Sequence, residues 1–187
     1  MFNLIPIYVN VLNNIQIYVN VLNNIPISNT CFLENTYIKT DQGDMLIKDI
    51  NPKIHTIKNK KIIYITKTIT QDKYLICFEK DSLGLNYPNE KTVMTKSHKI
   101  HYKGKFIQAY RFIGHFENVH KIEYNKELLY NILMDGYIAI KANNLICESL
   151  HPNNIIAKLY TDDINENYRN HIIKILNKSL IEENNCI

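Results

Sequence analysis

Between residues 31 and 150 the chain is a succession of short segments rich in Ile, Val, Thr and Tyr, and this pattern constrains the fold more than any other feature. The segments read TYIKT, DMLIKDI, HTIKNKKIIYITKTIT, KYLICFEK, KTVMT, HKIHYKGKFIQAY, VHKIEYN, LLYNILM and GYIAIKA. β-branched and aromatic side chains pack well on a pleated, half-buried surface. Turn signals separate the segments at Asp41-Gln42-Gly43, Asn51-Pro52, Lys58-Asn59-Lys60, Lys103-Gly104 and Asp135-Gly136, the last of which reads as a hairpin turn. Closely spaced strands without an intervening helical pattern predict an all-β domain.

The flanks differ from this middle. Residues 5–29 repeat with a period of ten, as IPIYVNVLNN, IQIYVNVLNN and IPISN, and carry no Lys, Arg, Asp or Glu. Within a unit Ile5, Ile7, Val9 and Val11 alternate with Pro6, Tyr8, Asn10 and Leu12, a period of two that predicts strand. Asn-Asn suits the positive φ of a hairpin turn, so the units are expected to form a small meander or to be a duplicated flank. After Thr161, Ile164, Tyr168, Ile172, Ile175 and Leu176 fall at helical spacing behind an acidic start, which predicts one amphipathic helix over about residues 163–182.

Composition narrows the function. The net charge of +4 comes from scattered basic residues, so no nucleic-acid partner is expected. No apolar run reaches about 18 residues, and no Lys or Arg precedes Lys39, so neither a membrane span nor a signal peptide is expected, and the localisation follows as intracellular or virion rather than secreted. Cys31, Cys77, Cys147 and Cys186 form no CxxC pair, which argues for free thiols and against a zinc knuckle; no metal or cofactor is expected. Cys77 reads as core, His101 and His120 as surface residues, and Cys186 as an exposed thiol without a role.

Three features stand in chain order: Cys31 at the boundary between the uncharged repeat and the charged domain, Thr95-Lys96-Ser97-His98, and a closing segment YNILMDGYIAIKANNLICESL. Together they resemble the Hint domain shared by Hedgehog autoprocessing domains and inteins, over about residues 31–152. CFLENTYIKTDQGDMLIKDI matches the family's opening pattern, and Asn143-Asn144 stands where Asn-Gly is usual. The resemblance implies a horseshoe-like fold with pseudo-twofold halves. It divides the chain into an upstream flank 1–30, a Hint domain 31–152 and a tail 153–187 with the helix.

The resemblance also implies the chemistry. A side chain just after a peptide bond can attack its carbonyl, and Cys31 Sγ is placed to attack that of Thr30. The product is a thioester with a free amine on Cys31. Because the amide is the more stable form, a general acid and an oxyanion donor are needed. His98 is the expected acid, since the ordinary imidazole pKa lies near neutrality. Thr95 is expected to donate its hydroxyl to the scissile amide or oxyanion. Inteins end in His-Asn; the matching place here is Cys147-Glu148-Ser149, so splicing is not expected. His151 with Asn153 or Asn154 offers only a shifted His-Pro-Asn order.

Hedgehog domains use an Asp as base for sterol transfer. Asp72 lies near that position without matching it, and Cys147 is a possible second nucleophile or a core residue. The expected substrate is the chain's own upstream segment, with water or a small thiol or amine as acyl acceptor. Two other classes stay open: a catalytically silent, β-rich part of a fibre-like or virion protein, and a cysteine hydrolase acting in trans.

Overall fold

The computed structural model describes residues 25–161 and 164–185. The expected strands of the ten-residue repeat and the terminal Cys186 lie outside the described residues, apart from the last stretch of the repeat. The chain divides into two compact units, one running from Ile27 to Asp163 and one combining Met1–Pro26 with Ile164–Ile187. The first unit thus begins upstream of Cys31.

The larger unit is mostly β, as expected, and its thirteen described strands form two sheets. They are β1 (Phe32–Leu33), β2 (Tyr37–Thr40), β3 (Gly43–Leu46), β4 (Thr56–Ile57), β5 (Lys60–Thr68), β6 (Tyr74–Phe78), β7 (Thr92–Met94), β8 (Lys99–Tyr102), β9 (Lys105–Gln108), β10 (Val119–Glu123), β11 (Leu129–Met134), β12 (Ala139–Ala142) and β13 (Leu145–Glu148). One sheet has seven strands in the order β10-β6-β7-β1-β11-β5-β4 and the other six, β3-β2-β12-β13-β8-β9. Neighbouring named strands pair antiparallel throughout.

Local chemistry accounts for most of the connections. Lys58 and Asn59 take φ of 53° and 57° between β4 and β5, and Lys103 with Gly104 takes 46° and 81° between β8 and β9. Two successive residues at positive φ twist a tight hairpin in the sense that matches its strands. Asn143 and Asn144 do the same between β12 and β13, at 44° and 66°, so the second Asn fills the place of a glycine. Asp135-Gly136 corrects the expectation of a hairpin. It follows β11, which pairs with β1 and β5, and precedes β12, which pairs with β2 and β13, so the chain changes sheet there.

Asn143 is also a tie between the sheets. Its Oδ1 accepts the Tyr37 N–H of β2 at 2.9 Å, and its Nδ2 donates to the Lys91 carbonyl at 3.1 Å and to Thr92 Oγ1 of β7 at 3.0 Å. The residue is buried. Asn143→Ala strips three bonds from a buried site and keeps a left-handed backbone that suits Ala poorly. It is expected to cost about 3 kcal/mol, read as a lower urea midpoint at unchanged slope; a loss below about 1 kcal/mol would mean the sheets are tied elsewhere.

The core has two parts. A large cluster includes Phe32, Ile38, Ile76, Met94, Ile100, Ile132, Ile140, Leu145 and Cys147. A smaller one joins Cys31, Leu75, Cys77, Val93, Tyr124 and Leu129. The expected terminal helix is α2 (Glu166–Asn185), in the smaller unit, and an additional helix, α1 (Ile155–Thr161), precedes it in the larger unit. Asn165 caps α2, its Oδ1 accepting the Tyr168 N–H at 2.9 Å, so a new helix starts there instead of continuing α1. Among the described side chains of α2, Ile173 and Asn177, one turn apart, are buried, whereas Tyr168 and Ile175 of the expected apolar face are exposed. In α1, Tyr160 stacks on Tyr64 of β5 at 4.3 Å.

Candidate active site

Strand β1 is two residues long, yet it lies inside the seven-stranded sheet between β7 and β11. Phe32 pairs with Met94 on one side and Tyr130 on the other. Antiparallel register steps one residue back for each residue forward, so Cys31 falls opposite Thr95 and Asn131. The Thr30–Cys31 peptide is therefore flanked by two polar side chains from strands far away in sequence.

Both ends of that peptide are engaged. The Cys31 N–H donates to Thr95 Oγ1 at 2.9 Å, and the Thr95 hydroxyl in turn donates to the Asn29 carbonyl at 2.8 Å. Thr95 thus accepts from the amide, the reverse of the donation expected from sequence. The Thr30 carbonyl accepts from Asn131 Nδ2, while Asn131 Oδ1 accepts the Ile132 N–H at 2.7 Å. The Thr95 N–H donates to the Cys31 carbonyl at 3.0 Å and closes the ladder.

The Cys31 side chain is enclosed. Cys31 is fully buried, with Sγ 2.9 Å from Thr68 Oγ1 at the end of β5. Burial pushes the thiol pKa up, opposed by hydrogen bonds from the Ser28 and Thr68 side chains and the Thr30 backbone. Upstream, Ser28 N–H donates to the Ile69 carbonyl at 2.8 Å, and Thr70 Oγ1 donates to Asn29 Oδ1 at 3.0 Å. The residues leading into the peptide bond are thereby fixed along the end of β5.

His98 sits in the turn between β7 and β8, fully buried, its ring 4.1 Å from that of Phe32. One ring nitrogen, Nε2, lies 3.1 Å from the Glu148 carbonyl. A carbonyl only accepts, so Nε2 carries the hydrogen and Nδ1 is a bare lone pair. Nδ1 is buried and has no hydrogen-bond partner. Burial pushes the pKa down to about 4, against the Glu148 charge, the Glu148 carbonyl and the Cys31 backbone, which favour the charged ring. At neutral pH His98 is therefore an uncharged base, and it becomes an acid only after taking up a proton.

Of the residues expected from sequence, Thr30, Cys31 and Thr95 come together, whereas the ring of His98 packs on Phe32, on the face of β1 opposite the Cys31 side chain, and meets the Cys31 backbone. Cys147 does not: it lies on β13 in the large core cluster, paired with Ile140 and Ile100, and burial pushes its thiol pKa up. Asp72 forms an ion pair with Lys96 at 2.6 Å and keeps Oδ2 buried without a partner, which puts it behind the Thr95–His98 turn. Asn131 and Thr68 were missed. The available signal for Asn131 was an amide in the otherwise apolar run LLYNILM, since a polar group at the centre of a buried strand needs a partner. Thr68 gave no signal among the many Thr residues of β5 and its neighbours.

No family model matches the chain, and no curated protein does. Among solved structures, it is similar to the Ssp DnaB mini-intein variant M86 at 12% identity and a TM-score of 0.44, over 65% of this chain and 95% of that one. A DnaB intein from Synechocystis sp. PCC 6803 is similar at 13% identity and a TM-score of 0.44, over 64% of this chain and 97% of that one.

Proposed function

We propose that the larger unit is a Hint-type self-processing domain that breaks the Thr30–Cys31 bond by an N→S acyl shift, without protein splicing. The observation that carries this reading is the double grip on one peptide bond, with Thr95 on its N–H and Asn131 on its carbonyl. Two polar side chains of distant strands converging on a single buried peptide cost desolvation that a structural peptide in a sheet does not require.

The steps follow from the groups present. Sγ of Cys31 adds to the Thr30 carbonyl carbon as its proton passes to the Thr68 hydroxyl, 2.9 Å away, and on to solvent water. The carbonyl electrons move to oxygen, where Asn131 Nδ2 is already a donor. When the tetrahedral species collapses, His98, having taken up a proton from solvent, gives it to the Cys31 nitrogen and the C–N bond breaks. A thioester joins Thr30 to Sγ, and Cys31 has a free amine. Water, or an external thiol or amine, then takes the acyl group, and Sγ recovers a proton. Thr95 is a positioning residue that holds the amide N–H through the first step. The shift needs no second nucleophile, which agrees with Cys147 being sealed in the core.

A second reading, a catalytically silent domain with a structural role, is favoured by the complete burial of Cys31 and by the β-branched Thr30 beside the attacked carbonyl. Intact mass followed over time, with and without hydroxylamine, separates the two. The expected result is a break between Thr30 and Cys31 that hydroxylamine accelerates and that Cys31→Ala abolishes. A full-length mass that never changes in any sample would establish the silent domain.

A further inference from the structure

We propose that Cys77, Glu79 and His120 form a binding site for one divalent metal ion of the zinc class, separate from the peptide bond at Thr30–Cys31.

The site follows from strand geometry. Cys77 lies on β6 directly opposite His120 on β10, the edge strand of the seven-stranded sheet. Direct cross-strand partners project to the same face. Glu79 is two residues beyond Cys77, so the period of two returns it to that face. The ladder continues to Glu79, whose N–H donates to the Asn118 carbonyl at 3.0 Å. Three different ligand types are thereby delivered to one spot by backbone pairing alone.

The distances fit a metal. Cys77 Sγ is 3.3 Å from Glu79 Oε1, His120 Nε2 is 3.7 Å from the same oxygen, and the three ligand atoms lie within 4.8 Å of one another. Four ligands arranged tetrahedrally around zinc, with bonds of about 2.0 to 2.3 Å, stand about 3.3–3.8 Å apart. Two of the three separations already meet that requirement. A thiolate, an imidazole and a carboxylate suit zinc, cobalt or nickel and not magnesium or calcium, which prefer oxygen alone. Three protein ligands leave a fourth position for water.

Access and charge agree with this. The His120 and Glu79 side chains are 47% and 38% exposed and Cys77 is buried behind them, so an ion enters past the carboxylate and the imidazole to reach the thiol. Lys91 Nζ lies 3.3 Å from Glu79 Oε1, so a metal ion has to displace this ion pair. Its side chain is 57% exposed and can swing away. Binding exchanges the thiol proton, released to solvent, for the metal, while the Lys91 ammonium is displaced.

The test uses reduced, tag-free full-length protein and cobalt(II) as the probe. The expected result is one equivalent bound per chain, with tetrahedral ligand-field absorption and a thiolate-to-cobalt charge-transfer band that zinc removes by displacement. His120→Ala, at a partly exposed side chain that folding does not need, is expected to weaken binding at least about 10-fold, and Lys91→Ala to tighten it. Cys77→Ser is expected to abolish the charge-transfer band, and Cys31→Ala to leave it intact. The proposal is overturned by the absence of a cobalt–thiolate band, by a band that His120→Ala leaves at full affinity, or by one that disappears in Cys31→Ala.

Discussion

Asn131→Ala is expected to slow breakage of the Thr30–Cys31 bond by about 10²–10³-fold while leaving Cys31, Thr95 and His98 in place. The amide donates to the Thr30 carbonyl before any reaction, so it is already aimed at the oxygen that gains charge. Such a donor acts in a buried, water-poor site without having to reorganise, and its loss is felt more in the transition state than in the folded ground state. Removing it also leaves a carbonyl with one fewer partner, at a stability cost of about 1–3 kcal/mol. The two effects separate by measurement. Cleavage is followed by intact mass at a denaturant-free temperature well below the variant's own melting transition. An unchanged rate in folded Asn131→Ala would remove Asn131 from the mechanism and leave it as a strand-to-strand tie.

His98 gives the second large effect, on stability. Its pKa is lowered from the ordinary 6.5 to about 4, with burial the main cause. The folded protein refuses a proton that the unfolded chain accepts. Stability from this source is therefore undiminished above the unfolded pKa, near 6.5, and is lost as pH falls towards the folded value, near 4. The difference amounts to about 3 kcal/mol. His98→Gln keeps a side-chain donor and cannot titrate, so its stability should fall less than the wild type's across that interval. Urea midpoints measured at several pH values provide the comparison. Parallel acid losses in the two proteins would show that the imidazole is not held neutral by burial.

The mostly β class is legible because β5, β6 and β11 announce themselves through Ile, Leu and Tyr, with Thr in β5, and the turns at Lys58-Asn59 and Lys103-Gly104 through their polar residues and glycine. β1 was not legible. Two residues, Phe32 and Leu33, carry no periodicity, and their place in the sheet is decided by β7 and β11 on either side. The same reason hid half of the candidate site. Cys31 and Thr-x-x-His are readable as residue types in order, whereas Asn131 acquires its partner only through the register of Phe32 against Tyr130. The ring of His98 posed a different difficulty. Sequence identifies an imidazole with an ordinary pKa near neutrality, but the base form comes from burial and from the Glu148 carbonyl, both tertiary facts. At Asp135-Gly136 local turn chemistry was read correctly as a break, yet nothing local says that the chain crosses to another sheet.

The position of β1 in the middle of its sheet has a consequence for timing. Residue 31 leaves the ribosome early, but its neighbour across one side is residue 95 and across the other residue 131, and the carbonyl that sets the His98 tautomer belongs to residue 148. Closing such long loops is slow and unfavourable until their contacts form together. A nascent or refolding chain with Cys31 still exposed thus holds an ordinary thiol next to an ordinary peptide. On the cleavage proposed above, the bond becomes reactive only when the domain is complete, so topology guards it against scission during synthesis.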